Sequence, residues 1–132
     1  MKTSTALGVA ESIKASVSDD CVLITVSGDL NRAVNDEAQA MSLEWLKQTG
    51  LRRLMLDFRS ANLTEGAVGL LKRVKIAYEH PEFRDARTVM LCKAMTSSYV
   101  MLELAARSQG FDFKISTDGE TAWHWLKEPL PD

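Results

Sequence analysis

What most constrains the fold of this chain is the repeated switching of its apolar period. Short runs that are continuously apolar, or alternate every second residue, are separated by longer stretches repeating near 3.6. Residues 12–17, SIKASV, alternate with Ile13, Ala15 and Val17 on one side and predict a half-buried strand. Asp19-Asp20 mark a turn, and CVLITVS (21–27) is almost unbroken apolar, as in a strand covered on both faces. The short gap predicts that these two strands pair antiparallel, with Gly28-Asp29 ending the second. RRLMLDF (52–58) and TVMLC (88–92) repeat the buried-strand pattern. FDFKI (111–115) alternates strictly, with Phe111, Phe113 and Ile115 on one side, and predicts an edge strand.

The intervening stretches have helical period. Over 33–49, Val34, Ala38, Met41 and Trp45 form one stripe flanked by Leu46; Asn31 or Asn35 can cap its start and Gly50 suits its end. A second helix is expected over 64–79, capped by Thr64, with Ala67, Leu71, Val74 and Tyr78 inward and Pro81 just beyond. A third runs from Thr96-Ser97-Ser98 to about Gln109, before Gly110. Asp118 caps a last short helix, GETAWHWLKE, which Pro129 stops; the final PLPD should trail in solvent. The order β-β-α-β-α-β-α-β-α defines an α/β fold with a mainly parallel sheet, right-handed crossovers and an antiparallel first strand. The 132 residues suit one domain, with a core spanning about 12–128.

Composition removes several function classes. The net charge of -2 takes away the bulk attraction on which nucleic-acid and anionic-membrane binding depends, so no nucleic-acid partner is expected. No run of about 18 apolar residues exists, which excludes integral membrane association through a spanning helix. The first residues, MKTSTALGVAES, lack the apolar core of a secretion signal, so a cytoplasmic protein is expected. Cys21 and Cys92 lie in apolar runs and read as small buried hydrophobes, with Cys92 the one candidate for a reactive thiol. No spacing of Cys and His matches a zinc signature, and GAVG (66–69) lacks the phosphate-loop pattern, so no metal and no cofactor are expected. Neither His80 nor His124 has a serine or cysteine close by in sequence, and a non-enzymatic protein is expected.

Several stretches resemble the SpoIIAA-like, or STAS-like, family. LMLDFRSANLTEGAVGLLKRV (54–74) looks like its apolar strand ending in an aspartate, then a loop and a helix. FDFKISTDGETAWHWLKE (111–128) resembles its short strand and "A-x-x-W-L" helix, here Ala122, Trp125 and Leu126. The resemblance implies a small non-enzymatic module that docks on regulatory partner proteins, with some relatives binding small ligands, nucleotides or lipids. Anti-sigma-factor antagonists of the family carry a phosphorylatable serine in an aspartate-serine-serine-glycine run. Here Thr64-Glu65-Gly66-Ala67 stands in its place, with Glu65 or Gly66 where the serine would be and Thr64 as the nearby hydroxyl.

Two kinds of site follow. Ligands of open parallel sheets bind outside the carboxyl ends of the strands. This places Gly28, Asp29, Ser60 and Cys92 near a candidate ligand site built from Asp57, Arg59, Thr64, Lys93, Thr96, Ser97 and Ser98. The helix ends at Thr64 and at 96–98 favour anions, and Lys93 could add charge for a carboxylate or phosphate head group. The third helix supplies the other kind. Tyr99, Val100, Met101, Leu102, Leu104, Ala105 and Ala106 point nearly all round its axis, interrupted only by Glu103 and Arg107, which are spaced to pair. The surplus needs cover from a neighbouring helix, residues 1–10, a second subunit or an apolar ligand. The candidate interface is Tyr99, Met101, Leu102, Ala105 and Trp123, serving a homodimer or a regulatory partner. The alternative is a carrier for a small amphiphile or lipid, with its apolar tail near Leu70, Leu71, Met101 and Leu104 and its head at Lys93 and 96–98.

Overall fold

The computed structural model describes residues 13–130, in which five strands form one sheet and five helices cover it. The strands are β1 (Ile13–Ser18), β2 (Cys21–Leu30), β3 (Arg53–Leu63), β4 (Arg87–Leu91) and β5 (Asp112–Ser116). The helices are α1 (Arg32–Thr49), α2 (Ala67–Tyr78), α3 (Pro81–Arg84), α4 (Ser97–Ser108) and α5 (Gly119–Lys127). The expected order is present, with the one-turn α3 added to it. Residues 1–10, one of the covers considered for the third predicted helix, lie outside the described residues, as do Pro131 and Asp132 of the predicted tail.

β1 pairs antiparallel with β2 through a two-residue turn. Asp19 and Asp20 both take positive φ there, 50° and 60°, the conformation that matches the twist of the flanking strands. All other pairings are parallel, and the spatial order β1-β2-β3-β4-β5 follows the sequence. A sheet that grows in one direction through right-handed crossovers must put every crossover helix on the same face. Hence α1, α2 and α4 form a layer on one side, and α5 alone covers the other.

The alternation of side chains along the strands sorts the core accordingly. Val22, Ile24, Leu54, Phe58, Met90, Phe113 and Ile115 meet the three-helix layer. Cys21, Met55, Val89 and Leu91 meet Ala122 and Leu126 of α5. The helix stripe Val34, Ala38, Met41 and Trp45 is buried as expected, Asn31 caps α1 by accepting from Val34 N at 3.0 Å, and Gly50 takes φ 68° past its end.

Four expectations need correction. β2 and β3 do not stop at Gly28 and Phe58 but pair onward to Leu30 and Leu63, because Gly28 at φ 85° and an irregularity between Thr25 and Ser27 carry the ladder past the apparent breakers. Consequently α2 begins at Ala67, its N-cap is Gly66, and Thr64 caps nothing. The inward face of α2 is also rotated: Leu70 and Val74 are buried, whereas Ala67, Leu71 and Tyr78 are exposed. Pro81 stands just beyond the end of α2, as expected, and there starts α3, whose Phe83 is buried. Finally, Glu103 and Arg107 do not pair with each other. Glu103 Oε2 accepts from Ile115 N at 2.5 Å and Arg107 Nε donates to Phe113 O at 2.9 Å. They occupy main-chain groups of the edge strand β5 that would otherwise invite another strand.

Candidate functional site

Only part of the expected strand-end cluster comes together. Asp57 accepts a bidentate ion pair from Arg59, with Nη2 to Oδ2 at 2.8 Å and Nε to Oδ1 at 3.0 Å. That guanidinium holds the Asp57 carboxyl below its usual range, and burial opposes it. The pair faces α5, where Arg59 Nη1 lies against Gly119. Lys93, Thr96 and Ser97 are exposed and Ser98 half-buried at the start of α4, where Thr96 caps the helix by accepting from Tyr99 N at 3.3 Å. Thr64 is exposed in the β3–α2 connection. The scatter has a topological cause. The strand-end crevice forms where strand order reverses direction, and here it never reverses.

The residues nominated for an interface divide similarly. Tyr99 and Leu102 are buried, Met101 and Ala105 half-buried, and Trp123 is half-buried against the α5 core. Val100 and Leu104 stand in solvent, Leu104 at 65% exposure. Cys92 is buried beside Met95, and burial, aided by the Glu103 carboxylate, pushes its thiol up, away from the reactive thiolate.

The hollow of the molecule lies elsewhere, between the sheet and the three-helix layer. The space open to the centre of a water-sized sphere is about 130 Å³. Its floor is Leu54, Leu56, Phe58, Thr88, Met90 and Phe113. Its walls include Ala38, Leu70, Val74, Tyr99, Leu102 and Phe83. Leu56 betrays the gap most directly: it lies on the central strand between Ile24 and Met90, yet is only half-buried. Of the residues expected to hold an apolar tail, Leu70 lines this cavity, and Leu71, Met101 and Leu104 do not.

A polar strut closes the cavity between α1 and α2. Arg73 of α2 donates Nε and Nη2 to the two Glu65 carboxylate oxygens at 2.6 and 2.9 Å. Its Nη1 donates to Asp36 at 2.9 Å and to Gln39 at 3.3 Å, and its Nη2 also to the Arg32 carbonyl at 3.0 Å. A guanidinium has five N–H donors, and all five are therefore engaged. Burial alone would lower the Arg73 pKa; the bonds to Glu65 and Asp36 outweigh it and raise it, so Arg73 stays charged. Asn35 Nδ2 donates to Glu65 Oε1 at 2.9 Å, which fixes the orientation of its amide. Sequence reasoning missed this network because Glu65 and Arg73 meet Asn35, Asp36 and Gln39 across more than twenty-five residues.

Asn35, Thr88 and Tyr99 also line the cavity. Asn35 is 6% exposed, Thr88 9% and Tyr99 5%, and among the described residues no buried polar side-chain atom lacks a hydrogen-bond partner. Burial pushes the Tyr99 phenol up to about 12, with Cys92 adding to the effect, so it stays protonated.

No family model matches this sequence, and no curated protein matches it. Solved structures do. One is the anti-sigma factor antagonist SpoIIAA in its unphosphorylated form, with 14% identity, a TM-score of 0.56, and coverage of 89% of this chain and 99% of that one. Another is an uncharacterized protein with a SpoIIAA-like fold from Shewanella loihica PV-4, with 14% identity, a TM-score of 0.54, and coverage of 96% of both chains. The chain has the SpoIIAA-like fold, as the quoted stretches implied. Among the described residues, no helix is long and apolar enough to cross a membrane and no cluster of side chains could hold a metal ion.

Proposed function

We propose that this protein is a non-enzymatic binding module of the STAS type that takes a small apolar or amphiphilic molecule beneath its α1–α2–α4 layer. The observation that carries this reading is the half-buried Leu56 at the centre of the sheet, under a hollow walled by carbon. Interiors are ordinarily packed to crystal density, and a void lets its lining lose dispersion contacts. A ligand would restore them. Native against denaturing mass spectrometry of the purified protein tests the reading: a small mass released only on unfolding is expected. Failure to retain any apolar probe, with an unshifted melting temperature at millimolar probe, removes it.

A second reading, docking on a regulatory protein or a second copy of the chain, is supported by the outer faces of α2 and α4. Val68 is 80% exposed and Leu104 65%, with Leu71 and Val100 also in solvent. Both helices follow parallel strands, so their first turns lie at the same end of the sheet. Light scattering at high micromolar concentration tests self-association. A dimer that Leu104→Glu dissociates supports it, and a strict monomer rejects the homodimer. Asp57, Arg59, Lys93 and Thr96–Ser98 remain proposed as a separate polar surface at the strand ends, to be tested by their substitution in the same binding experiments.

A further inference from the structure

The walls of the cavity narrow its ligand first by what they withhold. Polar side chains on the α1–α2 side are already bonded within the protein. Ser42 Oγ donates to the Ala38 carbonyl at 2.7 Å, Gln39 Nε2 to the Arg73 carbonyl at 3.0 Å and Asn35 Nδ2 to Glu65 at 2.9 Å. Among the described residues that line the space, Arg73 alone is charged, and each of its five N–H groups has a protein acceptor. A charge on a ligand therefore finds no free counter-charge on the wall, and an ion desolvated without a partner is costly.

The carbon of the wall narrows the ligand further. All four phenylalanines of the chain, Phe58, Phe83, Phe111 and Phe113, line this one cavity, and Tyr99 joins them. Phe58 comes from β3, Phe83 from α3, Phe111 and Phe113 from the start of β5, and Tyr99 from α4, so the packing of four separate elements gathers these rings. An aromatic ring has a negative face and a positive edge, and it pairs favourably with another ring edge-to-face or offset. Several rings around one space offer such contacts to an aromatic guest and withhold them from a saturated one. Size adds a limit. An apolar cavity of about 150 Å³ takes up benzene, and the open space here is about 130 Å³, enough for one ring and too little for two fused rings or the tail of a lipid.

We infer that the cavity takes a neutral molecule built on a single aromatic ring, and that it turns away both a charged analogue of the same shape and a larger apolar one. This rests on the reading that the cavity binds a ligand at all, and the test separates the two. Calorimetric titration of the purified full chain uses four probes: toluene, methylcyclohexane, naphthalene and 4-methylbenzoate. Toluene should bind tightest. Methylcyclohexane should bind about threefold or more weaker for want of ring–ring contacts, and naphthalene about tenfold or more weaker because it overfills the space. 4-Methylbenzoate should bind weakest, because its carboxylate must be desolvated unpaired. Nuclear Overhauser contacts between bound toluene and the Leu56 methyls should place the ring in the hollow. The comparison needs no variant, so no failure to fold can obscure it. Any of the other three probes binding as tightly as toluene overturns the inference while the cavity reading survives. Toluene bound without contact to Leu56, or no probe bound at all, overturns both.

Discussion

The two faces of this sheet are covered in opposite ways. One helix of nine residues, α5, seals its face: Ala122, Leu126, Cys21 and Val89 are each 0% exposed. Three helices cover the other face and leave a hollow over Leu56. Cover is therefore set by how the helices are held and not by their number. α5 is pulled onto the sheet by its own C-terminal carbonyls, which accept from Arg53 Nε at 2.9 Å and Arg87 Nη1 at 3.0 Å, while Arg87 stacks on Trp125 at 4.9 Å. α1 and α2 are instead bridged by the Arg73 strut, a rigid polar spacer of long side chains. An apolar seam between them would collapse, and a guanidinium with five fixed partners does not.

The contrast is testable, from the largest expected effect downward. Leu126→Ala in the sealed face should cost about 3–5 kcal/mol, the range for a tightly packed leucine whose cavity cannot relax, measured by urea denaturation. A loss below about 1 kcal/mol would show that the α5 face is as loose as the other. Arg73→Met should cost about 3 kcal/mol, because it leaves the Glu65 carboxylate buried without its partner. The double variant Arg73→Met with Glu65→Gln should recover much of that loss, and equal loss in both would mean that the strut acts by packing alone. Adding carbon should divide the faces again. Ala122→Leu overpacks the sealed side and should cost about 1–3 kcal/mol. Ala77→Leu, a half-buried residue on the cavity wall, should cost less than about 1 kcal/mol and abolish probe binding. Equal penalties would mean that the hollow fills as poorly as a packed core.

The same contrast explains what the sequence made legible. Element order, the antiparallel first strand, the α1 stripe and the caps at Asn31, Thr96 and Asp118 all depend on neighbours within a few residues, where period and cap chemistry act. The surplus of apolar perimeter on α4 was legible too, and it marks Tyr99 and Leu102 of the cavity wall. What was lost depends on distance along the chain. The face of α2 slipped by one position because β3 runs five residues further than Phe58, and Gly28 looked like a terminus although β3 supports it as a strand. The order of the strands in the sheet, on which a strand-end crevice depends, is likewise set by contacts that local pattern does not encode. The cavity's polar rim joins Asn35 to Glu65 and Arg73, which only the packing of α1 against α2 brings into contact.

Acid should undo the two faces in sequence, and this is the subtlest effect. The two carboxyls held below their usual range, Asp57 and Asp118, both flank the start of α5: Asp57 through Arg59, which lies against Gly119, and Asp118 by capping the helix through Thr121. A carboxyl whose folded pKa is depressed contributes stability that is present above its unfolded value, near 3.9 for Asp. That contribution is lost as pH falls through the lower folded value, because the unfolded chain binds the proton first. Lowering pH from 5 toward 2 should therefore loosen α5 before α1. Trp123 and Trp125 report the first, and Trp45, buried under α1, reports the second. In Trp45→Phe the remaining emission should shift at higher pH than does the Trp45 signal in a Trp123→Phe/Trp125→Phe variant. Asp57→Asn should flatten the pH slope of stability in this window. Coincident transitions would show that the sealed face and the hollow one unfold as a single unit, however differently they are packed.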